Sequence, residues 1–216
     1  MNPIYAKWTE RWKAAVEAIP AHGGTVHAFE QLAPATEEQL AAIEARLERK
    51  IPQSMRDVLT EFSAAVAFEW NVYEEGDEED FDPDNVFCLW NMYRLPACEE
   101  NRKLILESIE GLQFEPGEMY FDTAISFIQV INGDQIAIDT AQEGEPVIYL
   151  SHDLGGGHGG RLAANFADFI DRWSKIACMP FDGYMLDELW SEEADGLDPH
   201  SEFARMITGR FALEFD

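Results

Sequence analysis

The chain has 216 residues, 46% of them hydrophobic and 12% aromatic, enough apolar material for one sizeable core and an argument against global disorder. Forty-two acidic against 15 basic residues leave a formal net charge of -27. Such a field repels nucleic acid and anionic membrane and speeds encounter with basic partners, so direct DNA or RNA binding is not expected.

Residues 1–8 show no apolar run behind a basic start, so no signal peptide is expected. Ile4, Trp8, Trp12, Ala15 and Ile19 recur at helical spacing, and Gly23-Gly24 ends that helix. Thr36-Glu37-Glu38-Gln39 is a capping box, in which hydroxyl and amide satisfy free backbone N–H groups; Leu40, Ile43 and Leu47 follow as its apolar stripe. A third helix is predicted after Ile51-Pro52, with Met55, Val58, Leu59 and Phe62 on one face. Residues 69–92 then hold nine acids and no base, with Gly76 and Pro83 as breakers, and read as an exposed loop or strand edge. A further helix is predicted from Ala97 to Ile109, ending at Gly111.

From Met119 the period falls to two. Phe121, Ile125 and Phe127 share one strand face, and Asn132-Gly133 precedes Ile136 and Ile138 as a hairpin signal, because both turn residues tolerate positive φ. Gly144 marks a second turn, and Pro146 to Leu150 a third strand. The glycine cluster 155–160 leads into a helix with Leu162, Phe166, Phe169, Ile170 and Trp173 inward, and Asp198-Pro199 starts a last one. The order predicts an α+β fold: a central, mostly antiparallel sheet, a meander around 119–151, flanked by N- and C-terminal helices in a single domain, 1–216. No uncharged apolar run approaches the roughly 18 residues that span a bilayer, so a soluble, cytoplasmic chain is expected.

Chemistry-bearing patterns are sparse. Cys88, Cys98 and Cys178 form no Cys-x-x-Cys pair, which indicates neither a disulfide framework nor a zinc ribbon. Ser151-His152-Asp153 lists triad residue types, but consecutive residues of an extended chain point to opposite faces, and His152 reads as a strand-end histidine bonded to backbone. Gly155 to Gly160 lacks the lysine and hydroxyl of a phosphate loop and reads as a flexible connection. His152 and His158 with Asp153 have no fixed metal-ligand spacing. Asp80, Asp82 and Asp84 begin like a calcium loop, but Asn85 stands where the turn glycine belongs and Asn91 where the bidentate glutamate belongs. No catalytic residue, cofactor or metal is expected.

The acidic run 69–84 admits two readings. It is a solvated loop, or it is an interface, because Phe68, Trp70, Tyr73, Phe81, Phe87 and Trp90 lie in or beside it and charged rims around aromatic anchors build tight interfaces. On the second reading Glu74, Glu75, Asp77, Glu78, Glu79 and Asp80 are steering charges, with Trp70 and Tyr73 as anchors.

The leading tryptophan helix followed by Pro34-Ala-Thr-Glu-Glu-Gln-Leu, running on to Ile51-Pro-Gln-Ser54, resembles the SUKH superfamily. So do Asn132-Gly-Asp134, the stretch Val147-Ile-Tyr-Leu-Ser-His152-Asp153, and Leu162 to Ile170. The resemblance covers roughly residues 30–175. Members usually carry Asn-Gly soon after the third helix, where this chain has Phe62 to Phe68 and then an acidic insertion, 69–92; an acidic extension, 178–216, follows the shared part. The resemblance implies a non-enzymatic α+β domain. The superfamily includes a fungal cell-wall-synthesis regulator and bacterial immunity proteins that neutralise a cognate toxin, often a nuclease. The expected partner is therefore a basic protein, the cognate toxin, with no nucleic acid and no membrane. The alternatives are a scaffold or regulatory adaptor of the same fold, and a metal-dependent hydrolase around His152 and His158.

Overall fold

A computed structural model describes residues 2–72, 87–108, 120–130 and 132–215, with Tyr120 and Phe121 described as backbone alone. Asn2 opens α1 (Pro3–Ala21) by accepting the Ile4 N–H at 3.2 Å, and Pro3 sits at the first helical position, where its missing N–H costs nothing. The helix buries Tyr5, Trp8, Trp12, Ala15 and Ile19, with Tyr5 taking the place expected for Ile4, which is only partly covered. β1 (Thr25–Gln31) follows.

The capping box is formed at α2 (Glu37–Leu47): the Gln39 N–H donates to Thr36 Oγ1 at 3.2 Å and the Thr36 N–H to Gln39 Oε1 at 2.8 Å. Thr36→Ala is expected to cost about 1 kcal/mol, lowering the melting temperature of a chain of this size by roughly 2–4 °C in a thermal scan. α3 (Gln53–Glu61) buries Met55, Val58 and Leu59, as its spacing predicts.

β2 (Ala65–Asn71) and β3 (Cys88–Asn91) complete a first antiparallel sheet, ordered β1-β2-β3. After a short 3-10 turn, α4 (Leu95–Ser108) and the four-residue α5 (Tyr120–Thr123) lead to the meander. There β4 (Ala124–Gln129), β5 (Gln135–Asp139), β6 (Val147–Leu150) and β7 (Arg161–Ala163) pair in sequence order, all antiparallel. Phe121 therefore belongs to α5 and not to the strand, and Leu162 to β7 and not to the following helix.

One face of this sheet meets the main core through Phe127, Ile136, Ile138, Val147 and Tyr149. The other carries the smaller Ala124 and Ala137 with Ile148 and Leu150, against Ile105 and Leu106 of α4. Covering both faces explains why β5 and β6 are buried at every position, where a one-sided meander would alternate.

α6 (Phe166–Ser174) is capped by Asn165, which accepts the Asp168 N–H at 3.0 Å, and buries Phe166, Phe169, Ile170 and Trp173. The chain continues through α7 (Gly183–Leu189), β8 (Trp190–Ser191), β9 (Gly196–Leu197) and α8 (Glu202–Arg210). Asp198 does not start α8. Its carboxylate accepts the His200 N–H at 2.8 Å in a turn, and Ser201 caps the helix by accepting the Ala204 N–H at 3.1 Å.

The stretch after α6 is built into the molecule. Leu186, Leu189, Leu197, Phe211 and Leu213 join the same buried cluster as Trp8 and Trp12. Three indoles hold the turn that begins it: Trp70 donates to Ala177 O at 2.8 Å, Trp173 to Met179 O at 2.8 Å, and Trp12 to Cys178 Sγ at 3.1 Å. Ala177 and Cys178 are both left-handed there, with φ of 54° and 51°. Farther on, β9 approaches β7 so closely that a Cβ on Gly196 would lie 2.3 Å from Leu162 O. Arg172 Nη1 ties the same hairpin down by donating to Ala194 O and Leu197 O, at 2.7 and 3.1 Å.

Candidate functional site

The antiparallel pairing of Gln135 with Leu150 sets Asp134, just before β5, beside the end of β6. Asp134 is 3% exposed and gathers four donors. Oδ1 accepts the His152 backbone N–H at 2.8 Å and His152 Nδ1 at 2.6 Å. Oδ2 accepts Asn132 Nδ2 at 2.7 Å and the Tyr149 hydroxyl. Burial alone would raise the carboxyl pKa. The hydrogen bonds from Tyr149, His152 and Asn132 outweigh it and hold the value below that of an ordinary aspartate. Burial first, and then the Asp134 carboxylate, push the Tyr149 hydroxyl well above its usual range, so it stays a neutral donor.

His152 is thus bonded at the strand end, as the sequence predicts, but its ring partner is a carboxylate, not the backbone. Ser151 Oγ does not face the imidazole. It donates to Asp153 Oδ1 at 2.5 Å, so these three residue types form no relay. Asp134 and Tyr149, quoted in the sequence only as family markers, turn out to be the centre of the hub. The signal available for them was an aspartate directly after an Asn-Gly turn, where its side chain can reach the neighbouring strand.

The glycine cluster does not present a phosphate cradle. The Gly155 N–H is taken by Ser151 Oγ and Asp153 Oδ1, Gly159 donates to Tyr149 O, and Gly160 to Gly157 O. The loop folds onto its own strand and delivers the chain to β7. Gly157 has φ +81° and leaves room for α7, since a Cβ there would meet Leu186 Cδ2 at 2.8 Å. Among the described residues no group of three or more His, Cys, Asp or Glu side chains is arranged to hold a metal ion.

An open groove of about 460 Å³ between α2, α4 and α5 is lined by Glu48, Glu99 and Asp122 against Arg49, Arg102 and Lys103. Its charges balance. Arg49 fastens Thr123 O and Ala124 O, at 2.5 and 2.8 Å, while Arg102 grips Glu99 through two bonds of 2.8 and 2.6 Å, so the groove braces the fold and favours neither sign of ligand.

Of the acidic-run residues, Tyr73, Glu74, Glu75, Asp77, Glu78, Glu79 and Asp80 lie outside the described residues, as do Asp82, Asp84 and Asn85 of the calcium-like stretch. Trp70 is described, and it faces inward: 8% exposed, its N–H spent on Ala177 O, its ring edge-to-face with Phe211 at 5.2 Å. It is a core residue of β2, not a surface anchor. The alternation Val66, Phe68, Trp70 carried that signal, because period two places all three on one strand face.

The described acids are densest after α6. From Cys178 to Ala204 there are eight acids and no lysine or arginine. Asp187, Glu188, Glu192, Glu193 and Asp195 are exposed among them, and so is Tyr184, at 91%.

The sequence model of the SMI1 / KNR4 family (SUKH-1) matches residues 34–172. The chain belongs to that family. No curated protein matches it. In this SUKH-1 protein the shared segment runs from the approach to α2 through most of α6. It includes the Asp134 hub and leaves out α1, β1, α7 and α8. Among the described residues no helix is long and apolar enough to cross a membrane.

Proposed function

We propose that this SUKH-1 protein is an immunity-type binding protein that neutralises a basic cognate toxin, a nuclease by preference, through occlusion of its phosphate-binding surface. The chain itself performs no chemistry. Its place of action is the cytoplasm. The observation that carries this reading is where the charge sits. Residues 69–92 and 178–216 supply -9 and -8 of the net -27, whereas residues 34–68 net -2 and residues 151–177 net zero. Residues 93–150 of the shared scaffold net a further -8, but over a stretch more than twice as long as the insertion, so the acid is most concentrated in residues 69–92. Nuclease surfaces hold phosphate with lysine and arginine, so an acidic addition is the complement such a surface selects. Glu74, Glu75, Asp77, Glu78, Glu79 and Asp80 serve as steering charges in this reading.

The test is a pull-down of the product of the adjacent upstream gene, followed by association kinetics at low and high salt. The expected result is a complex that abolishes the partner's nuclease activity and forms more slowly as ionic strength rises. A complex with a host protein that has no toxic activity would transfer the reading to a regulatory adaptor.

A further inference from the structure

We infer that the outward face of α7, centred on Tyr184, is the docking surface for that basic partner; the inference rests on the reading above and names its site. Tyr184 is 91% exposed, while Leu186 and Leu189 of the same helix are buried, so α7 has one face in the core and one in solvent. Asp187 and Glu188 follow Tyr184 at three and four residues, which places both exposed carboxylates on its side of the helix. The result is an aromatic ring with an acidic border, the arrangement the sequence pointed to around Trp70 but which the core claims there.

The face is held in place before any partner arrives. Asp182 caps α7 by accepting the Tyr184 and Met185 N–H groups, both at 3.0 Å. The Asp198 N–H closes its far end on Leu189 O at 2.6 Å, and the half-exposed Trp190 donates from its indole to Arg161 O at 2.9 Å. With the indoles locking residues 177–179 and Arg172 fastening the β8–β9 hairpin, the surface pays little ordering entropy on binding.

Charge decides the occupant. Arg161 is paired with Asp195 at 3.0 Å, and the 178–204 stretch has no lysine or arginine of its own. A second copy of this chain would bring another strongly negative surface against it. An arginine-bearing protein surface fits both parts of the patch: the guanidinium stacks on the Tyr184 ring and pairs with Asp187 or Glu188. The face also lies outside residues 34–172, where a family scaffold can vary its specificity without disturbing the shared core.

The experiment measures binding of the purified upstream gene product to the full chain and to surface variants whose melting temperatures match the parent. Tyr184→Ala is expected to weaken the complex about tenfold or more, mainly through faster dissociation, with Tyr184→Phe close to the parent because the ring is retained. Asp187→Asn with Glu188→Gln is expected to slow association at low salt and flatten its salt dependence. If the parent binds and all three variants bind within about twofold of it, the α7 face is not the docking surface, while the immunity reading stands. If the parent itself does not bind, both fall together.

Discussion

Trp70→Ala is expected to lower the unfolding free energy by about 3–5 kcal/mol. The substitution removes a large buried ring from β2 and its edge-to-face contact with Phe211. It also removes the donor to Ala177 O, one of three indole bonds holding two consecutive left-handed, non-glycine residues. Each such residue costs on the order of 1–3 kcal/mol and persists only because its surroundings enforce it, so the turn that launches the acidic extension loosens as well. Urea unfolding of the parent and the variant measures the effect. Tyr184→Ala is the contrast, with a change of about 0.5 kcal/mol or less because its side chain touches mostly water. A Trp70→Ala protein with parental stability and lost partner binding would return that indole to the interface.

Asp134→Asn is expected to cost about 3 kcal/mol, seen as a fall in melting temperature of roughly 6–12 °C. The carboxylate accepts on both oxygens, from His152 twice and from Asn132 and Tyr149, and an amide turns one of those acceptors into a donor facing donors. The pH dependence has a definite sign. The folded pKa of Asp134 lies below its ordinary value of 3.8, so its contribution is fully present above 3.8 and is lost as the pH falls through the lower, folded value. The gap between parent and variant should therefore be constant around neutrality and narrow only in strong acid. A gap that closed near neutrality would mean that the Asp134 carboxylate does not govern the hub.

Much of the helical framework was legible because its causes are local. The Thr36–Gln39 capping box, the spacing of Trp8, Trp12 and Ile19, and the stripe Phe166, Phe169, Ile170 and Trp173 each carry their own reason for being helical, as Asn132-Gly133 does for the hairpin. What escaped were the elements stabilised from far away in sequence. β1 pairs with β2 across some 40 residues, placing Phe29 opposite Phe68, and β7 is too short to announce itself. The Asp134 hub joins residues 15 and 18 positions apart, and no spacing rule predicts that they share one carboxylate.

The sequence by itself determined the charge, its concentration in two additions, the α+β order and the family likeness, since these depend on composition, periodicity and short-range motifs. Only the tertiary structure decided which aromatic among the acids is buried and which faces solvent. Trp70 and Tyr184 sit in similar local company, beside glutamates and aspartates. Trp70 is drawn inward by Ala177 and Phe211, which lie more than 100 residues farther along the chain, while Tyr184 sits on the outward side of a helix whose other face already fills the core. Burial depends on which distant surfaces arrive to cover a side chain, and that is settled by packing across the whole molecule.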